Sequence, residues 1–153
     1  MRRVAMALWV AVSLVAAAGA PARAAGTDPK AFLQGVIQRL GSGHTVPADQ
    51  LYTPALAGLL RQSAAAAHKG DAPCMDGDPV LDCQDCSPLT HLTVTVSDPV
   101  QGKADASAHY TVAGDVRDMK YTLVQTPRGW RIDDIRSSSM PSLRAYLSGP
   151  DCR

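Results

Sequence analysis

The sequence predicts an α+β fold in which N-terminal helices pack on a curved antiparallel sheet of about four strands, closed by a short C-terminal helix into a cone-like shape. Three observations carry this. Apolar residues recur at helical spacing early in the chain, a loop rich in Asp, Gly, Pro and Cys follows, and the segment from Leu89 to Arg136 then alternates apolar and polar residues strand after strand.

The first helix spans Pro29 to Leu40, where Phe32, Leu33, Val36, Ile37 and Leu40 form one apolar face. Asp28 is placed to cap it, Pro29 suits its first position, and Gly41-Ser42-Gly43 ends it. The second starts at Thr53-Pro54, carries Leu56, Leu59 and Leu60 into the alanine run Ala64 to Ala67, and closes near Gly70. The Asp/Cys-rich loop occupies 71–88.

Leu92, Val94 and Val96 then alternate with Thr93, Thr95 and Ser97, and Ala104, Ala106, Ala108, Tyr110 and Val112 with Asp105, Ser107, His109 and Thr111. A third strand, Val116 to Thr126, presents Met119, Tyr121 and Leu123 together. Pro127-Arg128-Gly129 turns it into a fourth, Trp130 to Arg136. Ile132 and Ile135 are three apart, so a bulge at Asp133-Asp134 or the end of pairing is expected between them. Period two puts Trp130, Ile132 and Asp134 on one face, with Asp134 near the strand end in reach of an amide or an Arg. Ser139, with Pro141 behind it, is the expected cap of a C-terminal helix carrying Leu143, Tyr146 and Leu147.

Residues 1–24 read as a signal peptide: Arg2 and Arg3 precede an uncharged apolar run from Val4 to Ala18, and Ala22-Arg23-Ala24 offers a cleavage site. The run falls short of the roughly 20 residues of a spanning helix, so no membrane span is expected after its removal, and residues 25–153 form a single domain. Its 129 residues carry twelve basic and fourteen acidic side chains, every acid being Asp. This near-neutral balance disfavours nucleic acid as a partner. A periplasmic or secreted location follows.

Four mature cysteines, Cys74, Cys83, Cys86 and Cys152, then predict two disulfides. Three connectivities are possible. The favoured one bridges Cys74 to Cys83 or Cys86 and ties the remaining one to Cys152. Cys83-Gln84-Asp85-Cys86 has redox-motif spacing, but a helix N-terminus and a βαβ context are missing from its surroundings. Zinc would want paired thiolate spacings, which these four do not give.

Several stretches resemble a known family. Thr53-Pro54-Ala55-Leu56-Ala57-Gly58-Leu59-Leu60, Asp78-Pro79 with Gln84-Asp85, Gly129-Trp130-Arg131-Ile132-Asp133-Asp134-Ile135-Arg136, and Ser142-Leu143-Arg144-Ala145-Tyr146-Leu147 are similar to the small exported bacterial proteins of domain of unknown function 3828. The Trp-x-Ile-Asp-Asp-Ile-Arg ending is also similar to the last strand of the wider nuclear-transport-factor-two-like superfamily. The resemblance covers most of residues 28–148, implies the same α+β fold and supplies no catalytic residue. The family usually has a bulky residue where Cys86 stands, which implies a disulfide in place of that packing.

The candidate ligand or partner contacts are Asp78, Asp85, His91, His109 and Asp134, while Trp130, Ile132 and Asp133 form a structural motif. Asp76, Asp78, Asp82 and Asp85 have the oxygen chemistry of a calcium loop but neither the spacing nor the Glu of an EF-hand, so turn capping is the expected role and no metal or other cofactor is assigned. A symmetric loop from Asp98 to Gly102 would set His91 opposite His109, and a cone cavity would let Asp134 work with either His. No nucleophile elbow, phosphate loop or zincin motif is present, and no residue is assigned as catalytic. The expected function is non-enzymatic binding of an envelope protein. Two alternatives stay open: an immunity-type protein that neutralises a periplasm-delivered toxin, and a small-molecule-binding or enzymatic cone with an Asp/His pocket.

Overall fold

The computed structural model describes residues 28–67 and 74–152. The signal peptide 1–24, its cleavage site, the expected helix end at Gly70 and the start of the loop at 71 lie outside the described residues. Asp28 Oδ1 accepts from the Lys30 amide at 2.9 Å and caps α1 (Pro29–Gly41), which buries Leu33, Val36 and Ile37. Gly41 is required where α1 ends, because a Cβ there would lie 2.6 Å from the Leu89 Cβ. A short α2 (Ala48–Leu51), absent from the sequence reading, leads through Tyr52 into α3 (Pro54–Ala67). The Thr53 amide donates to the Ile132 carbonyl at 2.9 Å, so this junction is tied to the last strand. Among the described residues no helix is long and apolar enough to cross a membrane.

The strands β1 (Leu89–Val96), β2 (Lys103–Val112), β3 (Asp115–Thr126) and β4 (Gly129–Arg136) form an antiparallel sheet in sequence order. On its inner face Ala104, Ala106 and Ala108 pair with Leu123, Tyr121 and Met119. Small residues on β2 thus leave the volume that large ones on β3 fill, the interdigitation a close-packed core needs. The fold is α+β as the patterning predicts, and the sheet is open.

Two bulges bend it. One falls where predicted: Thr122 pairs with Asp134 and Leu123 with Ile132, leaving Asp133 as the extra residue. It also corrects the expectation that Asp134 shares a face with Trp130 and Ile132, because the bulge resets the period and Ile135 takes the inner position instead. The other lies in β1 between Thr90 and Thr93 and was not anticipated.

Both disulfides form, but the pairing departs from the favoured one. The bonds are Cys74–Cys152, 78 residues apart, and Cys83–Cys86, three apart. The loop doubles back through an antiparallel bridge between Asp78 and Cys83. That leaves Cys83 within 5.5 Å (Cα–Cα) of Cys86, while Cys74 lies beside the C-terminal segment, where the Tyr146 hydroxyl donates to its carbonyl at 2.9 Å. The C-terminal helix α4 (Leu143–Leu147) is capped by Ser142 rather than Ser139, the Ser142 hydroxyl accepting from the Ala145 amide at 3.1 Å. Ser137 and Met140 close a separate turn that holds Ser139 away from the helix start. A final 3-10 turn, Pro150–Cys152, carries the long disulfide.

Candidate functional site

The space between helices and sheet is filled by the chain itself. Asp78 accepts from the Val80 and Leu81 amides at 2.7 and 3.1 Å, and the turn this stabilises drives both side chains into the core, where neither has any exposed surface. The Tyr121 hydroxyl donates to the Val80 carbonyl at 2.8 Å, and that of Tyr110 at 3.4 Å. Burial pushes both phenols, and that of Tyr52, well above their ordinary value. Asp78 is therefore a structural capping residue facing inward, whereas Asp85 is exposed.

Burial also raises the Asp78 carboxyl above its ordinary 3.8, outweighing the two amide bonds that lower it. A carboxyl that is harder to ionise in the fold than in the unfolded chain contributes most below the unfolded value. The contribution is lost as pH rises from there through the raised one. The stability of Asp78→Asn relative to the natural protein should accordingly climb with pH across that window and then level off, as read from urea midpoints. A difference independent of pH would contradict this.

Asp133 and Asp134 dock two helices onto β4. Asp133 accepts from the Thr53 hydroxyl and from Arg144 Nη1, both at 2.7 Å, so one carboxylate joins the start of α3 to α4. Asp134 accepts from the Ser142 hydroxyl at 2.9 Å and the Arg144 amide at 3.0 Å, satisfying donors in the first turn of α4. Its side chain is only 17% exposed. Asp134→Asn should cost about 1–2 kcal/mol, because a charge-assisted pair of bonds is weakened at a largely buried site. Urea unfolding checks it, and a change within about 0.3 kcal/mol, typical of a free surface residue, would contradict it.

The histidines do not meet. The register running from the turn puts Thr93 opposite His109, and the β1 bulge beyond it leaves His91 in the left-handed region at φ 56°, exposed. The displacement begins at the turn, which is a tight hairpin centred on Gln101 and Gly102, both at positive φ, rather than a symmetric five-residue loop. His109 Nδ1 lies 2.8 Å from Asp118 on the outer face, both side chains largely exposed. Asp118 and Thr122, the β3 partners of His109 and Asp134, are four residues apart, about 13 Å along the strand. The Asp134–His109 dyad that the alternative Asp/His cone would need is therefore not assembled. Among the described residues no group of three or more His, Cys, Asp or Glu could hold a metal ion.

Two of the concave surfaces outside the core are lined by arginine. One, of about 490 Å³, lies over the outer sheet face between Thr95, Ser107, Lys120 and Arg136. Arg136 is held there by Thr122 Oγ1, with Asp105 at 3.7 Å and Asp134 at 4.0 Å. The other is a groove of about 540 Å³ between α3 and the β3–β4 hairpin, where Arg61, Arg128 and Arg131 meet Pro54, Ala57 and Asp49. Sequence reasoning missed this groove because its cations come from separate elements. The available signal was the spacing of Pro54, Ala57 and Arg61, which places them on one helical stripe.

No protein-family model matches the chain, and no curated protein matches it. Among solved structures it is similar to the phospholipid-binding protein from Ralstonia solanacearum in complex with a phospholipid, at 16% identity and a TM-score of 0.33, over 80% of this chain and 60% of that one. A superposition this loose transfers no ligand from one chain to the other.

Proposed function

We propose that this is an exported, non-enzymatic binding protein that recognises an envelope protein through its outer surface. The observation that carries the reading is the Val80–Leu81 plug: the volume where a cone would hold a ligand is occupied by side chains with no exposed surface, fastened by Asp78, Tyr110 and Tyr121. The carboxylates nearest the strand end serve helix docking, which speaks for binding over catalysis. The leader-like residues 1–24 and two paired cysteine sets support export to an oxidising periplasm. Membership of the domain of unknown function 3828 family belongs to the same proposal, supported by the Trp130 to Arg136 ending.

Native mass spectrometry of the mature, oxidised protein isolated from periplasmic extract tests it. The expected result is a defined complex with a second protein. A monomer that retains a small organic molecule would overturn the reading.

A further inference from the structure

We infer that the groove between α3 and the β3–β4 hairpin binds an extended acidic peptide segment, an assignment that rests on the proposed protein-binding role and gives it a site. Three guanidinium groups converge there from three places: Arg61 on α3, Arg128 at the hairpin tip and Arg131 on β4. Among the described residues Asp49 is the only carboxylate in the lining. It does not neutralise them, since its contact with Arg128 is 4.0 Å long between two largely exposed side chains, a pair worth little in water. Arg61 is exposed and makes no ion pair with any described residue.

Arg131 is held differently. Its Nε donates to the Asp49 carbonyl at 2.8 Å and its Nη1 to the Trp130 carbonyl at 2.7 Å. Two backbone bonds fix the plane of this guanidinium, and the remaining amino group takes part in neither, so its orientation is set before a ligand arrives. A preset fork of this kind suits a carboxylate better than a diffuse charge does.

The groove's length selects the shape of the occupant. Pro54 and Arg61 are seven residues apart on α3, a rise of about 10 Å, which three residues of extended chain match. Acidic side chains at alternate positions of such a segment project to the same side. Pro54, Ala57 and Pro127 supply the apolar wall on which an intervening aliphatic residue rests.

The test uses fluorescein-labelled acetyl-Glu-Leu-Glu-Leu-Glu-amide and its Gln-for-Glu counterpart, titrated by fluorescence anisotropy with the mature, oxidised protein. The acidic peptide should bind and the neutral one should bind at least tenfold more weakly. Arg61→Glu with Arg128→Glu should weaken the acidic peptide by tenfold or more without moving the urea midpoint, since both side chains are exposed. Lys120→Glu, on the outer sheet face, should leave affinity within about twofold. Equal binding of the two peptides, an unaffected double variant, or loss of binding in Lys120→Glu would overturn the assignment. So would an envelope complex that survives intact in the double variant, and that result would leave the broader binding role standing.

Discussion

Trp130→Ala is expected to lower the free energy of unfolding by about 3–5 kcal/mol. Trp130 is 2% exposed and stands on the inner face of β4 beside the wholly buried Ile132. Both lie on the strand that the Tyr52–Thr53 junction joins through Ile132 and that α4 joins through Asp133 and Asp134. Removing the indole opens a cavity under elements held by those bonds, which limits how far the surroundings can collapse to fill it. The loss is a large share of the roughly 5–15 kcal/mol that stabilises an ordinary domain. Trp130→Phe, which keeps most of the volume, should retain much of that stability. Guanidinium unfolding of the three proteins provides the measurement, and a loss under about 1 kcal/mol for the alanine variant would contradict the placement of Trp130 in the core.

The second large effect separates the two disulfides. Cys74–Cys152 spans 78 residues and in the loop-entropy view contributes about 4.5 kcal/mol, whereas Cys83–Cys86 spans three and contributes about 2 kcal/mol. Cys152 is almost wholly buried, and its bond secures the 3-10 turn after α4. Cys74→Ala with Cys152→Ala should therefore shift the guanidinium midpoint much further than Cys83→Ala with Cys86→Ala. The reverse order would contradict the observed pairing or the stabilising role assigned to the long bridge.

What the sequence made legible follows from local physics. The Asp28 cap, the inward alanines of β2 and the bulge between Ile132 and Ile135 are each dictated by residues a few positions apart. The β1 register was less accessible, because it depends on a second bulge beside His91 and on which of the residues from Asp98 to Gly102 form the turn. Composition alone does not distinguish Gln101-Gly102 from a symmetric loop. Cysteine pairing and the choice between Ser139 and Ser142 as helix cap had the same character, since chemically equivalent groups compete and the folded chain decides which is near.

Asp133 was legible as structural, whereas Asp134 stood among the candidate contacts, within reach of an amide or an Arg that the sequence alone did not single out. Arg144 takes Asp133, and Arg131 serves the backbone beside the groove instead. The groove itself required tertiary structure, as no window of sequence contains all three of its arginines. The plug also lay beyond reach. Val80 and Leu81 sit in an otherwise polar loop whose composition gives no direction for their side chains until Asp78 turns them inward.

The central claim, that the interior is closed by the chain's own loop and binding takes place outside, is tested most directly by amide hydrogen exchange at Val80 and Leu81. Their amides bond to Asp78 while both side chains are wholly buried, so the account predicts protection close to that of the β2–β3 core strands, the same in the free protein and in the proposed complex. Rapid exchange at these two amides, with the rest of the core protected, would show that the plug opens as a lid and would contradict it.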